Sequence, residues 1–295
     1  VWVAIADVAA AVRHGMALDE EAREKGNSVY FPDRVEPMLP ERLSNGLCSL
    51  REGENRATMA VRMVFNSNGK KTSHRFVRGL MRSAAKLSYE QAQAAIDGDP
   101  DDKTGPLVDG VLKPLWTAYR LMLKGRNARS PLAIESDERR IVISAEGEVA
   151  SITNRASLDA HRLIEEMMIQ ANVSAAETLE QKRSPLIYRI HDTPSPEKMQ
   201  ALTDFLQTLD IPWSKGEAPN THRFNKLLDD TREGPHADIV NEVVLRSQMQ
   251  AQYNAENIGH FGLNLGKYAH FTSPIRRYAD LIVHRGLIRA LGLGS

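Results

Sequence analysis

The sharpest chemical signal in these 295 residues is the run Tyr268 to His284, YAHFTSPIRRYADLIVH. Ser273 is a good helix N-cap and Pro274 suits the first helical position, so a helix is expected from Pro274 to about Leu291. Arg276 and Arg277 then fall in its first turn, where cations oppose the helix macrodipole at a cost of about 0.3–1 kcal/mol each. An anion at the helix end would offset that cost. Free backbone N–H groups and guanidinium forks would converge on one phosphate. Arg276, Asp280 and His284 follow at spacing four and share a face. The plainer alternative is a solvated polar stripe with an Arg–Asp ion pair, and spacing alone gives it about equal weight.

A second cluster sits on an expected helix from Leu158 to Leu179, capped by Ser157. The stretch Leu163–Ala176 is apolar almost all round, which predicts burial. Within this helix His161, Glu165 and Asn172 lie near one face. A carboxylate in a buried helix is expensive unless paired, so Glu165 would meet an arginine, sugar hydroxyls or a metal. A structural Glu–Arg pair is the plainer outcome. Glu166 points about 100° away and is the more easily solvated. Third, Lys70, Lys71, His74, Arg75, Arg78, Arg82 and Lys86 crowd one stretch, with Tyr30 and Tyr89 in polar surroundings. Basic tracks with aromatic platforms suit single-stranded nucleic acid, where stacking contributes about 1–3 kcal/mol per base. Each of these signals is weak alone, because a basic hairpin is usually a solvated face.

Other chemistries are not signalled. There is no Gly-rich phosphate loop, no zinc-spaced Cys/His cluster and no nucleophile elbow. Asp101–Asp102 and Asp229–Asp230 read as solvated acidic pairs. The single cysteine, Cys48 in GLCSL, reads as a buried core thiol and fits a reducing compartment.

The positioning elements mix without regular alternation, which predicts an α+β fold, an irregular mixed α/β arrangement. Val1–Ala6 reads as a buried strand, Ala17–Lys25 as a helix stopped by Gly26, and Ser28–Phe31 as a strand. Pro32–Leu50 is a long loop rich in Pro, Ser, Asn and Gly, of a length more often functional than idle. Thr58–Phe65 and Thr72–Arg82 form a hairpin around Asn68–Gly69. Helices are expected at Tyr89–Ile96 with Ser88 as cap, and at Leu107–Arg126 with a kink at Pro114. A second hairpin spans Arg140–Thr153 around Glu146–Gly147. Further helices are expected at about Pro196–Leu209, Thr221–Asp230 and His236–Met249, followed by loops or short strands from Tyr253 to Phe271.

Apolar residues are 42% and charged residues 26%, which favours neither disorder nor a membrane class. No apolar run approaches the roughly 20 residues of a spanning helix. Lys plus Arg equals Asp plus Glu, 38 each, so any polyanion site must be local.

Several segments together resemble the RNB catalytic domain shared by ribonuclease II and ribonuclease R. They are VAIADV, SVYFPDRVEPMLPERLSNGLCSL, GLMRSAAKLSYEQ, HRLIEEMMIQANVSAA and HFGLNLGKYAHFTSPIRRYADLIVH, and they run from the first residues to the last. YFP and SNGLCSL are nearer to bacterial ribonuclease R. The resemblance implies a twisted sheet surrounded by helices, with residues 1–295 as a single RNB-like domain. It implies a cytoplasmic, monomeric, Mg²⁺-dependent enzyme that degrades single-stranded RNA processively from the 3′ end, releasing 5′-nucleoside monophosphates. By the same resemblance Tyr30 stacks near the 3′-terminal nucleotide and Glu165 contacts it. Tyr89 helps prefer RNA over DNA, and Arg276 holds the phosphate at the scissile bond. Ser273, Arg277, Asp280 and His284 join them as candidate substrate-binding residues. Ile134 stands where the family carries a stacking aromatic, so an aliphatic contact is expected there. The family's metal-binding aspartates precede the VAIADV strand, and cold-shock and S1 domains flank it. The expectation is therefore an N-terminally incomplete domain, inactive alone, with no metal ligands of its own. Asp7 is a weak metal candidate, better read as a strand-end structural carboxylate. Two rivals are a catalytically silent RNB-fold RNA-binding module and an unrelated α+β hydrolase using Glu165 and His284 as acid and base without a metal.

Overall fold

The computed structural model describes residues 1–134, 138–143, 148–155, 157–214 and 216–294. The strands are β1 (Trp2–Ala6), β2 (Val29–Tyr30), β3 (Val35–Glu36), β4 (Asn55–Phe65), β5 (Lys71–Arg82), β6 (Glu138–Ile143), β7 (Val149–Arg155), β8 (Tyr188–Ile190) and β9 (Gln252–Asn254). The α-helices are α1 (Val8–Ala11), α2 (Ala17–Lys25), α3 (Tyr89–Asp97), α4 (Lys113–Arg129), α5 (Asp159–Gln181), α6 (Pro196–Thr208), α7 (Thr221–Thr231), α8 (Ala237–Ser247) and α9 (Tyr278–Leu291). This is the mixed α/β class expected, with a small sheet and many helices.

The main sheet has three antiparallel strands in the order β1-β4-β5. Its register follows from alternation along the strands. Val3 pairs with Val61 and Ile5 with Met59, and Val61 pairs with Phe76 across the other ladder. All five are buried, so this face of the sheet meets the core. Against it packs α5, whose Leu163, Met167, Ala171, Ala175 and Leu179 are buried in the same cluster. A second cluster joins Val8, Val12, Ala22, Met38, Leu39, Cys48 and Leu281. It ties α1 and α2 to α9.

The chain divides into two compact units. One comprises residues 1–125, 138–187 and 269–295, and the other residues 126–137 and 188–268. The second has its own core, built on Leu202, Leu206, Phe224, Val240 and Val244.

Several boundaries differ from the sequence expectation. The helix expected from Leu107 opens as a 3₁₀ turn (Gly105–Leu107) and a π-helical turn (Val108–Leu112), and α4 begins only at Lys113. Pro114 therefore lies in the first turn of a helix, where its missing N–H is harmless, and produces no mid-helix kink. Ser157 does not cap α5. Leu158 is the cap residue, and its N–H donates to His161 Nδ1 at 3.2 Å. The Pro32–Leu50 loop holds β3 and a π-helical turn, Arg42–Leu47. Strand β8 was not foreseen. The expected turn at Glu146–Gly147 lies outside the described residues.

Candidate functional site

A cleft of about 370 Å³ is lined by Ala4–Ala6 of β1, Tyr30 of β2, Ser44 and Cys48–Leu50, and Thr272–Arg276. Strand β1 forms one wall because its pairing with β4 fixes Ala4 and Ala6 on the sheet face opposite Val3 and Ile5. Tyr30 is held by the two-residue ladder of β2 with β3, and its side chain is 61% exposed. The hydroxyl residues Ser44, Ser49, Thr272 and Ser273 line it, Arg276 supplies a cation, and among the described residues no carboxylate lines the cleft. Such a surface suits a phosphate with its sugar, and Tyr30 offers a face for a base.

The turn carrying Arg276 is built differently from the helix end expected. Helix α9 starts at Tyr278 with Arg277 as its cap residue, and Ser273 makes no N-cap. Residues 273–277 form a separate turn in which the Arg276 and Arg277 amides donate to the Ser273 carbonyl at 3.2 and 3.1 Å. Its far side is pinned by Ser28 N–H to the Arg276 carbonyl at 2.9 Å and by Tyr278 N–H to the Gly26 carbonyl at 2.8 Å. The Ser273 amide donates to Asp280 Oδ2 at 2.7 Å. These amides are all committed, so convergence of free N–H groups on a phosphate is corrected. What remains for an anion is the Arg276 side chain, which is exposed and has no side-chain partner among the described residues.

Asp280 and His284 are both fully buried, and Arg276 does not share their helical face because it lies outside the helix. Arg277 donates to Asp280 through Nε at 2.7 Å and Nη2 at 2.8 Å. The Arg–Asp pair weighed as the plain alternative thus exists, but it uses Arg277. His284 donates from Nε2 to the Phe271 carbonyl at 2.7 Å and stacks on the Phe271 ring at 4.5 Å. Burial lowers its pKa. Its Nδ1 is buried without a partner. The Phe271 amide donates to Asn172 Oδ1 at 2.7 Å. Substrate contact by Asp280 or His284 is therefore corrected to a supporting role, and an acid–base pair of Glu165 with sealed His284 is excluded.

Helix α5 reverses two further expectations. Glu165 is exposed, whereas Glu166 is fully buried and accepts from Gln170 Nε2 at 2.9 Å. An all-round apolar helix gives no face from which to read the register, so a 100° error in facing cost nothing in pattern. Tyr89, 37% exposed at the start of α3, stacks on His161 at 4.1 Å. Ile134 belongs to the second unit, where it packs half-buried against that unit's core and lines a cleft there.

Asp7 caps α1 by accepting from Ala10 N–H at 3.2 Å and pairs with Arg78 Nε at 2.5 Å, which is the structural role expected. Among the described residues no group of three His, Cys, Asp or Glu side chains could hold a metal ion. The described residues thus do not fit a Mg²⁺ site. The basic stretch is partly committed as well. Lys71 pairs with Glu177 at 2.8 Å, and His74 bonds Thr178 at 2.8 Å.

Sequence reasoning missed Asp19. It accepts from the Gly15 amide at 2.9 Å and the Tyr278 hydroxyl at 2.8 Å, and pairs with Arg285 at 2.8 Å. Burial acts to raise its pKa, but these bonds override it and hold the carboxyl at about 2. Asp19 thereby fixes α2 to the first turn of α9. No local signal marks its role in joining the helices, because the two partners on α9, Tyr278 and Arg285, lie more than 250 residues away in sequence. The cleft's Ser44 and Ser49 did carry a signal, the unusual length and composition of the Pro32–Leu50 loop.

The model of the RNB domain family matches residues 1–292. The chain belongs to the RNB domain family. The match spans both compact units, and it removes the reading as an unrelated hydrolase. Ribonuclease R of Escherichia coli (strain K12) is 43% identical over 288 residues, covering 97% of this chain and 35% of the relative. This RNB chain thus spans about a third of that relative's length. Among solved structures, Mycoplasma genitalium RNase R in complex with ribose methylated single-stranded RNA superposes with a TM-score of 0.92 at 31% identity, covering 97% of this chain and 45% of that one. Yeast Ssd1, described as a pseudonuclease, shares the fold with a TM-score of 0.77 at 21% identity, covering 99% of this chain and 36% of that one.

Proposed function

We propose that this RNB domain grips the 3′ end of single-stranded RNA in the cleft that carries Arg276. It would do so as part of a cytoplasmic, monomeric 3′-to-5′ exoribonuclease that releases 5′-nucleoside monophosphates processively. The observation that carries the reading is the cleft itself, whose described lining brings together the exposed Arg276 guanidinium, the hydroxyl residues Ser44, Ser49, Thr272 and Ser273, and the exposed Tyr30, with no carboxylate among the described residues. The identity to ribonuclease R supports it, as does the RNA-bound state of the Mycoplasma relative. The buried, free Cys48 suits a reducing compartment.

In this reading Arg276 binds the phosphate at the scissile bond and stabilises the charge that develops on it. Tyr30 stacks on the terminal base, and the hydroxyl of Ser273 contacts the sugar–phosphate backbone. Tyr89 and Glu165, both open to solvent, contact ribose, and Ile134 offers an aliphatic face to a base. Mg²⁺ belongs to the proposed reaction, but the described residues fit gripping and orienting, and those are the tasks assigned to them.

A second reading is RNA binding without cleavage, by a catalytically silent module of the same fold. One experiment separates the two. The intact natural protein is incubated with a 5′-labelled single-stranded oligoribonucleotide and Mg²⁺. Shortening from the 3′ end with release of 5′-monophosphates, abolished by EDTA, is expected. RNA that is bound but not shortened would establish the silent module, and cuts that start internally would contradict both.

A further inference from the structure

We propose that Asp280 is a positioning residue: through Arg277 and the Ser273 amide it holds the 273–277 turn in the shape that presents Arg276 to the cleft. The proposal rests on the gripping role of Arg276 given above. Here Asp280, 0% exposed, engages Arg277 at 2.7 and 2.8 Å and leaves Arg276 as the cation lining the cleft. The same carboxylate accepts the Ser273 amide at 2.7 Å, so one side chain fixes both ends of the turn. The backbone bonds from Gly26 and Ser28 brace the turn from its other side, and they leave the choice between the two guanidinium groups to Asp280. Phe271, just before the turn, is held separately by Asn172 and His284. Removing Asp280 therefore leaves the approach to the turn in place but takes away the carboxylate that Arg277 and the Ser273 amide share.

A merely structural acid in the first turn of α9 would also be expected to stabilise the helix. A double-mutant cycle in the intact natural protein, read as kcat and KM on single-stranded RNA, distinguishes the two roles. Asp280→Asn should lower kcat about tenfold or more with KM within about threefold, and should cost nothing further beyond about twofold in an Arg276→Ala background. Arg277→Gln should behave in the same way, and Arg277→Lys should recover part of that loss. If Asp280→Asn does not fold, the Arg277→Gln cycle decides. Additive losses would overturn the positioning role while leaving the gripping role intact. An Arg276→Ala protein with full kcat beside a slow Asp280→Asn would overturn both. A folded Asp280→Asn with unchanged kcat would overturn the positioning role alone.

Discussion

Two neighbouring arginines are placed differently: Arg277 has a carboxylate within 2.8 Å, and Arg276 has none among the described residues. The types and spacing of Tyr30, Ser273 and Arg276 were legible, and the structure gathers all three around one cleft. What could not be read was which polar groups are already spent. Asp280, His284 and the Ser273 amide are polar in sequence and saturated or sealed in the fold. Asp19 shows the same limit, since its charge is consumed by Gly15, Tyr278 and Arg285. Its pKa of about 2 lies below the ordinary 3.8, so the unfolded chain binds the proton more readily. The stability it contributes is present above about 3.8 and is lost as pH falls through about 2. Asp19→Asn should therefore lower stability near neutral pH by about 3–5 kcal/mol, the usual cost of breaking a buried pair. It should also flatten the fall of Tm between about pH 4 and pH 2. Denaturant titrations near pH 7 and melting curves across that acid range check both, and wild-type behaviour in the variant would refute the assignment.

At the scale of elements, periodic and capped segments were the most legible. Helix α2 and the Ser88-capped start of α3 fell where expected, since their signals are local. The start of α9 moved by four residues because tertiary partners, Gly26, Ser28 and Asp280, hold Ser273–Arg277 as a turn. The β4–β5 hairpin shows local and tertiary demands coinciding. Gly69 has φ of +75°, and a Cβ there would lie 2.7 Å from the Gly125 amide nitrogen and closer still to the Leu121 carbonyl oxygen of α4. Gly69→Ala should cost about 1–3 kcal/mol from backbone strain alone, with the clash added to it. A urea titration that finds less than about 0.5 kcal/mol would show that turn and helix move apart freely.

At the scale of the whole chain, the balance of 38 cations and 38 anions gives no global attraction for RNA, so the proposed grip would have to be local. The fold supplies that locality by bringing Ala4–Ala6, Tyr30, Ser44 and Arg276 to one cleft from segments more than 200 residues apart. The mixed class was legible from irregular element order, and the family from motifs spread along the chain. The division into two compact units was not, because it depends on which helices share a core. The most direct test of the account is steady-state kinetics of Arg276→Ala against wild type in the intact natural protein on single-stranded RNA. The account predicts a fall in kcat of about 10²–10³-fold, as for other lost donors to developing charge, with KM within about threefold. A retained kcat, or a loss confined to RNA affinity, would contradict it.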